Sequence, residues 1–400
     1  MTIPARGTRP ANRRQLILSA ATELFHDRGY ANVRMSDIAE AVAVGPSALY
    51  RHFQSKQKLL EAVVEDSLED SARVLREMPH GRTAMARSLA SNAIGRRHAG
   101  VLWRREARQI PEVDSALRPR AREFIRSIAG MLAESRPDLG PVERTLLAHC
   151  VVGAANSVSF HSLRLPEARF IDVLAGILEV VIACPIPRLV PRPPPRDAPA
   201  LRSVSTREAL LEAAGELFAR HGYGNVAMEQ IATHAGVAGT SVYGCFPRKS
   251  DALEAALTRT AEWLRIDMNR VLASADGPAE ALERLLRCYA AFVLDHPDTV
   301  RLALTEAVNL EEPARTRFRE SQIDYFADWA ELLTQIKPDV PNIEIRLRVH
   351  AVVAVMNEVA VTSYPRRFAD ILSTVVAMGS TVLGLGEGWT TEVNGCTLQK

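Results

Sequence analysis

The chain has 400 residues, 24% of them charged, with 49 Lys and Arg against 47 Asp and Glu and a formal net charge of +2. That length allows two to four domains with substantial cores, and the near balance makes any basic character local rather than global. Five cysteines (Cys150, Cys184, Cys245, Cys288, Cys396) are scattered, odd in number and without a C-x-x-C, which argues against a disulfide framework and a zinc site.

From Arg14 the apolar residues Ile17, Ala20, Ala21, Leu24 and Phe25 recur at helical spacing, so one stripe of this segment faces a core. Gly29 follows as a left-handed stop. A second, shorter helix holds Ile38, Ala39 and Val42. Gly45 and Pro46 mark a tight turn into a third, because proline is tolerated in a first helical turn. That third helix carries Leu49 and Phe53 inward and leaves Ser47, Ala48, Arg51 and His52 outward. Two short helices joined by a tight turn and buttressed by a longer one form a helix-turn-helix, which lays its second helix in a DNA major groove.

The segment Arg14–Leu60 returns without a gap as Arg207–Leu253, 193 positions later. Leu24/Leu217, Phe25/Phe218, Gly29/Gly222, Tyr30/Tyr223, Ile38/Ile231, Tyr50/Tyr243, Phe53/Phe246 and Lys56/Lys249 are among the identities. A period this long is a duplicated domain, not a solenoid unit. In both copies the pattern F-x-x-x-G-Y, M-x-x-I-A, then V-x-x-x-x-[LV]-Y-x-x-F-x-x-K resembles the DNA-binding domain of TetR-family transcriptional regulators. The resemblance implies an all-α repressor, usually a homodimer, in which a variable helical domain follows each motif and a small molecule releases the operator. The sequence departs from the family pattern at Arg34 and Ala227, where Ser or Thr commonly opens the second helix, and at Gly244-Cys245, which replace Arg51-His52.

Charge separates the copies. Residues 1–60 carry nine basic and four acidic side chains, whereas the register-matched window 194–253 carries six of each. Phosphate contacts supply most non-specific DNA affinity, so the first copy is expected to dominate. The expected DNA face is Ser47, Ala48, Tyr50, Arg51 and His52, with Lys56 as a phosphate clamp and Arg34 as a second. Tyr50 has a competing reading as a packing residue. Arg51 is the one candidate in this helix for a bidentate guanine contact. In the second copy Thr240, Ser241, Tyr243 and Lys249 are left to meet backbone. The basic lead MTIPARGTRPANRR has two readings, an arm for the minor groove or a solubilising terminus.

The domains expected are a helix-turn-helix over 1–60, a helical regulatory domain over 61–184, a linker over 185–200, a second helix-turn-helix over 201–253 and a second regulatory domain over 254–390. Seven prolines between Pro185 and Pro199 make the linker extended. At about 3.1 Å per residue it spans roughly 45 Å, enough to run along one domain to the next. Fainter duplication continues beyond the motif: Glu143, His149 and Asn156 recur as Glu344, His350 and Asn357, offset by 201. These fall in the last two helices of each half, about 140–163 and 166–184, then 342–364 and 365–385. The family resemblance makes such helices a four-helix dimer interface. Leu146, Leu147, Cys150, Val151, Ala154 and Val158 supply its apolar face, and Gly153 allows close approach. Two assemblies fit: an intramolecular pseudo-dimer, or a homodimer of chains.

Candidate effector-lining residues are Trp103, Phe124, His149 and Phe160 in the first half and Tyr289, Phe292, Phe326, Trp329 and His350 in the second, although most aromatics at helical spacing are packing residues. The run Trp103–Arg108 offers a further anion-binding candidate against a plainer reading as a solvated face. No metal-ligand spacing, Walker loop, nucleophile elbow or dinucleotide fingerprint is present, so neither an enzyme nor a cofactor is expected. The N-terminus lacks the apolar run of a signal peptide, and the longest apolar stretches, Val173–Pro187 and Ala351–Val361, are too short and polar for a bilayer; a cytoplasmic protein is expected. The sequence thus points to a sequence-specific DNA-binding regulator, a repressor released by a small-molecule effector. The alternative is a protein–protein regulator that keeps the duplicated fold, has lost DNA binding and sequesters another regulator.

Overall fold

The computed structural model describes residues 12–98, 101–103, 106–107, 110–192 and 205–385. The basic lead before Asn12, the arginines Arg104, Arg105 and Arg108, the linker beyond Arg192 and Cys396 lie outside the described residues. Among the described residues there are seventeen α-helices and no strand. The first half holds α1 (Arg13–Arg28), α2 (Met35–Ala41), α3 (Pro46–His52), α4 (Lys56–Glu77), α5 (Arg82–Gly95), α6 (Pro111–Ser135), α7 (Pro141–Asn156) and α8 (Glu167–Ala183). The second holds α9 (Thr206–His221), α10 (Met228–Ala235), α11 (Ser241–Cys245), α12 (Lys249–Leu272), α13 (Pro278–Asp295), α14 (Pro297–Thr305), α15 (Ala314–Ile336), α16 (Asn342–Val361) and α17 (Ile371–Leu383).

Three cores hold these helices. Ile17, Leu18, Ala21 and Phe25 of α1 close on Ile38, Leu49, Phe53, Leu59 and Leu60, with Leu102, Val113 and Leu117 from farther along the chain. Leu210, Leu211, Phe218, Ile231, Val242, Phe246 and Leu253 repeat that arrangement, joined by Leu302, Leu310 and Phe318. Gly29 and Gly222 end the first helix of each with φ of +77° and +81°, backbone conformations that only glycine adopts cheaply.

The third core is continuous through both halves and contains Leu146, Val151, Ile177 and Leu178 beside Trp329, Val352, Met356 and Val375. Its centre is the crossing of α7 and α16. A Cβ added at Gly153 would stand 2.9 Å from Cβ of Glu358 and 3.1 Å from the Ala354 carbonyl oxygen. Only glycine lets the helices approach this closely. The two halves of one chain therefore pair as a pseudo-dimer, with α8 and α17 completing the interface.

Two segments differ from expectation. After α7 the backbone tightens into a 3₁₀ turn at Ser157–Phe160 and runs without helix to Pro166, and α17 starts at Ile371 after a 3₁₀ turn at Pro365–Arg367. Pro166 and Pro365 have no N–H to continue a helical ladder, so each marks a break. The described start of the linker is extended but not free. Leu189 donates to Glu143 at 2.9 Å, and Pro191 pairs with Phe368 of the other half, where Ala369 donates to the Val190 carbonyl at 2.8 Å.

Candidate functional site

The recognition helix α3 starts at Pro46, behind the extended Gly45. Its amphipathic pattern buries Leu49 and, just past its end, Phe53, and turns Ser47, Tyr50, Arg51 and His52 to solvent, with Ala48 half-buried. Tyr50 is 51% exposed, so it is no packing residue. Tyr50, Arg51 and His52 engage no hydrogen-bonding or ionic partner among the described residues. Arg34 is exposed at the N-cap of α2, its N–H donating to the Asp37 carboxylate at 2.8 Å. This face offers a phenol, a guanidinium, an imidazole and a hydroxyl around a helix of groove-fitting width, with no carboxylate among them.

The second copy keeps the frame and loses the face. Helix α11 spans only 5 residues against 7 in α3, because Gly239 stands where Pro46 pre-sets the first turn. Gly244 and Cys245 remove the cation and the ring. Tyr243 is 46% exposed, but its hydroxyl donates to Glu229 at 2.8 Å, and the position matching Glu229 in the first copy is Ser36. That hydrogen bond lowers the Glu229 carboxyl below its ordinary range, keeping a negative charge on the surface that a phosphate would approach. Thr240 and Ser241 remain near the solvent side with no comparable cation beside them.

Lys56 departs from the phosphate clamp expected of it. Its ammonium donates to the carbonyls of Tyr30 at 2.8 Å and Val33 at 2.9 Å and lies 4.3 Å from the centre of the Tyr30 ring. Lys249 repeats this with Tyr223 at 2.8 Å, Val226 at 3.0 Å and the Tyr223 ring at 4.4 Å. Burial lowers both lysine pKa values. Both are structural ties between the last helix of the domain and the loop entering its second helix. They were legible as repeated residues, but their role needed coordinates.

A second repeated tie escaped the sequence reading. Buried Glu106 accepts the Tyr30 N–H at 3.1 Å, and buried Glu306 accepts that of Tyr223 at 3.0 Å. Each regulatory domain thus grips its DNA-binding domain through the Tyr that follows the helix-ending glycine. The offset of 200 between these glutamates was the available signal.

A cavity of about 1070 Å³ opens between the halves. Phe160, Tyr289, Phe292, Phe326 and His350 line it. The other candidates lie elsewhere: Trp103 packs on the first helix-turn-helix core, Phe124 on the central core, and Trp329 is wholly buried within it. His149 meets Glu358 across the α7–α16 crossing at 3.1 Å. Arg97, His161 and Arg346, unremarked in the sequence, also line the cavity. At one end it reaches His26 and Asp27 of α1, and nearby Val308, just after Glu306, would lie 3.4 Å from a Cβ at Gly29. The space therefore borders α1 of the first DNA-binding domain directly and, through Ala307 and Val308, the segment beside Glu306, which holds Tyr223 of the second.

The family model for bacterial regulatory proteins of the tetR family matches residues 17–63 and again 210–256. The HTH-type transcriptional repressor KstR2 of Mycolicibacterium smegmatis is 36% identical over 66 residues, 16% of this chain and 32% of that protein. The HTH-type transcriptional regulator UidR of Escherichia coli K12 is 27% identical over 136 residues, 32% of this chain and 69% of UidR. The chain thus spans about a third of one of these relatives and about two thirds of the other. A TetR-family transcriptional regulator from Bordetella parapertussis superposes with a TM-score of 0.41 at 19% identity, over 48% of this chain and all of that one.

Proposed function

We propose that this chain, which belongs to the TetR family of bacterial regulatory proteins and carries the family's unit twice, represses transcription as a single-chain pseudo-dimer read mainly through its first recognition helix. DNA-binding regulation is the family's activity. The finer reading rests on one contrast: Arg51 and Tyr50 are exposed and unengaged on α3, while at the matching positions Gly244 has no side chain to offer and Tyr243 is held by Glu229. Helix α3 supplies base-edge and phosphate contacts; α11, shorter and flanked by an acid, supplies weaker backbone contacts. Ser47, Ala48, His52 and Arg34 complete the first surface, and Thr240, Ser241 and Tyr243 the second.

Release follows from the cavity. A small molecule filling it would press on α1 of the first DNA-binding domain and on the 307–308 segment beside Glu306, which holds the second. A ligand that fits only one separation of the two recognition helices shifts the population away from the operator-competent one.

Selection of bound duplexes from a random pool, followed by footprinting, tests this. An unequal pair of half-sites is expected, with Arg51→Ala weakening the stronger and relaxing its preference at one base position, and Tyr243→Phe leaving both. Two half-sites of equal strength, or loss of binding on altering only α11, would overturn the ranking of the copies. No affinity for any duplex at low salt would remove the DNA-binding reading altogether.

A further inference from the structure

We propose that the cavity between the halves is a single site per chain for an acidic amphiphile, its anionic head at Arg346, His350 and His161 and its aromatic or branched apolar body against Tyr289, Phe292 and Phe326. This deepens, and rests on, the reading of the cavity as the effector site.

The duplication shows why there is one site and not two. On one side of the pseudo-twofold, His149 faces Glu358. At the offset of 201 the mate of His149 is His350, and the mate of Glu358 is Ser157, which carries no charge. His350 is left with ring contacts instead: His161 at 4.7 Å and Phe326 at 5.9 Å. Nε2 of His161 is buried without a hydrogen-bond partner. The aromatic wall is likewise one-sided, since Phe326 corresponds to Ile125.

The charges around these rings are of one sign. Burial above all, and then the charges of Arg97 and Arg346, which act on both rings, push the imidazoles down, His350 to about 4 and His161 to about 2. Arg97 spends its guanidinium on carbonyls, Leu163 at 3.0 Å as well as Val158 and His161, which orders the loop but leaves its charge uncompensated. Arg346 has no partner among the described residues, and Arg164 adds a further cation beside Arg97. The carboxylates on the cavity wall are occupied or peripheral: Asp27 pairs with His26 at 2.9 Å, and Glu167 is exposed at the start of α8. Half-buried cations without a counter-ion, such as Arg97 and Arg346, favour an anion that brings its own acceptors. Beyond them the wall is apolar and aromatic, and the volume is that of a drug-sized ligand, of roughly 300–1,000 Å³ or slightly above.

The probe pair is 1-anilinonaphthalene-8-sulfonate and its uncharged analogue N-phenyl-1-naphthylamine, titrated by fluorescence into the full chain without DNA. The sulfonate should saturate at one per chain and bind more tightly than the neutral amine. Arg346→Gln should weaken the sulfonate about tenfold while leaving the amine within about twofold, and Arg346→Lys should keep most of the sulfonate affinity. Phe326→Ala should weaken both probes. Two equivalent sites, or equal affinity for both probes with no response to Arg346→Gln, would overturn the proposal. The two readings separate in a parallel DNA titration. Sulfonate binding at one per chain that leaves operator affinity unchanged defeats the effector reading and keeps the anion site. Release of DNA by both probes alike does the reverse.

Discussion

Gly153→Ala is the sharpest probe of the pseudo-dimer, because the sign of its effect depends on one close approach. Adding a methyl group to a helical glycine normally stabilises, by up to about 1 kcal/mol, through helix propensity alone. At Gly153 the new Cβ would sit 2.9 Å from Cβ of Glu358, 3.1 Å from the Ala354 oxygen and 3.1 Å from Cα of Val355. None of these is the movable end of a side chain, so α7 and α16 must separate. Overpacking of this kind costs about 1–3 kcal/mol. Gly130, exposed in the middle of α6 with nothing within 4 Å of its Cβ position, is the control. The propensity gain is common to both substitutions and cancels in their difference, which isolates the crossing. Urea denaturation should therefore place Gly153→Ala about 1–3 kcal/mol below Gly130→Ala, with Gly130→Ala at or above the parent. Operator affinity should fall for Gly153→Ala as well, since the crossing sets the separation of the two DNA-binding domains. Equal stability of the two variants would mean that the halves of one chain do not meet at this crossing, and the pseudo-dimer would go with it.

Three further outcomes follow from particular contacts. Arg51→Ala should weaken operator binding by about 1–3 kcal/mol and relax preference at one base position, read by competition among single-base operator variants; Glu229→Ser, which frees Tyr243 and removes an acid, should raise non-specific affinity in the same assay. Lys56→Ala should lower the free energy of unfolding in urea by about 1–2 kcal/mol, because the Tyr30 and Val33 carbonyls lose a charged donor, while the salt dependence of DNA binding keeps its slope; a slope reduced by about one with stability intact would restore Lys56 as a phosphate contact. His161 and His350 have folded pKa values depressed below the ordinary imidazole value of about 6.5, so the unfolded chain binds more protons between that value and about 4. Stability should therefore be fully present above about pH 6.5 and fall as the pH drops toward 4, and His350→Gln should flatten that fall in urea titrations at stepped pH.

What the sequence made legible was set by how local the physics is. The three-helix motif and its repetition were readable because Ile17, Phe25, Leu49 and Phe53 encode their burial in spacing alone, and because Gly29 and Gly222 sit where a positive φ is required. The central crossing was foreshadowed for the same reason: Gly153 lies in a broad apolar stripe. Lys56 shows the limit. A cation repeated beside each recognition helix fits a phosphate or a carbonyl equally well in one dimension, and it is the 2.8 Å approach to the Tyr30 oxygen that favours the carbonyl. The cavity was hidden more deeply, since Arg97, His161 and Arg346 come from three separate segments and gain meaning only where a charge is missing. Sequence comparison of the halves contained that clue after all. His149 and His350 are the same inherited histidine, but Glu358 and Ser157 are not the same inherited partner. A duplicated chain is free to let one copy of a contact close while the other opens, something a symmetric homodimer, with identical interfaces on both sides, cannot do. The asymmetry that shortens α11 and leaves it Gly244 in place of Arg51, and the asymmetry that opens one cavity, are thus both open to a covalently fused pair.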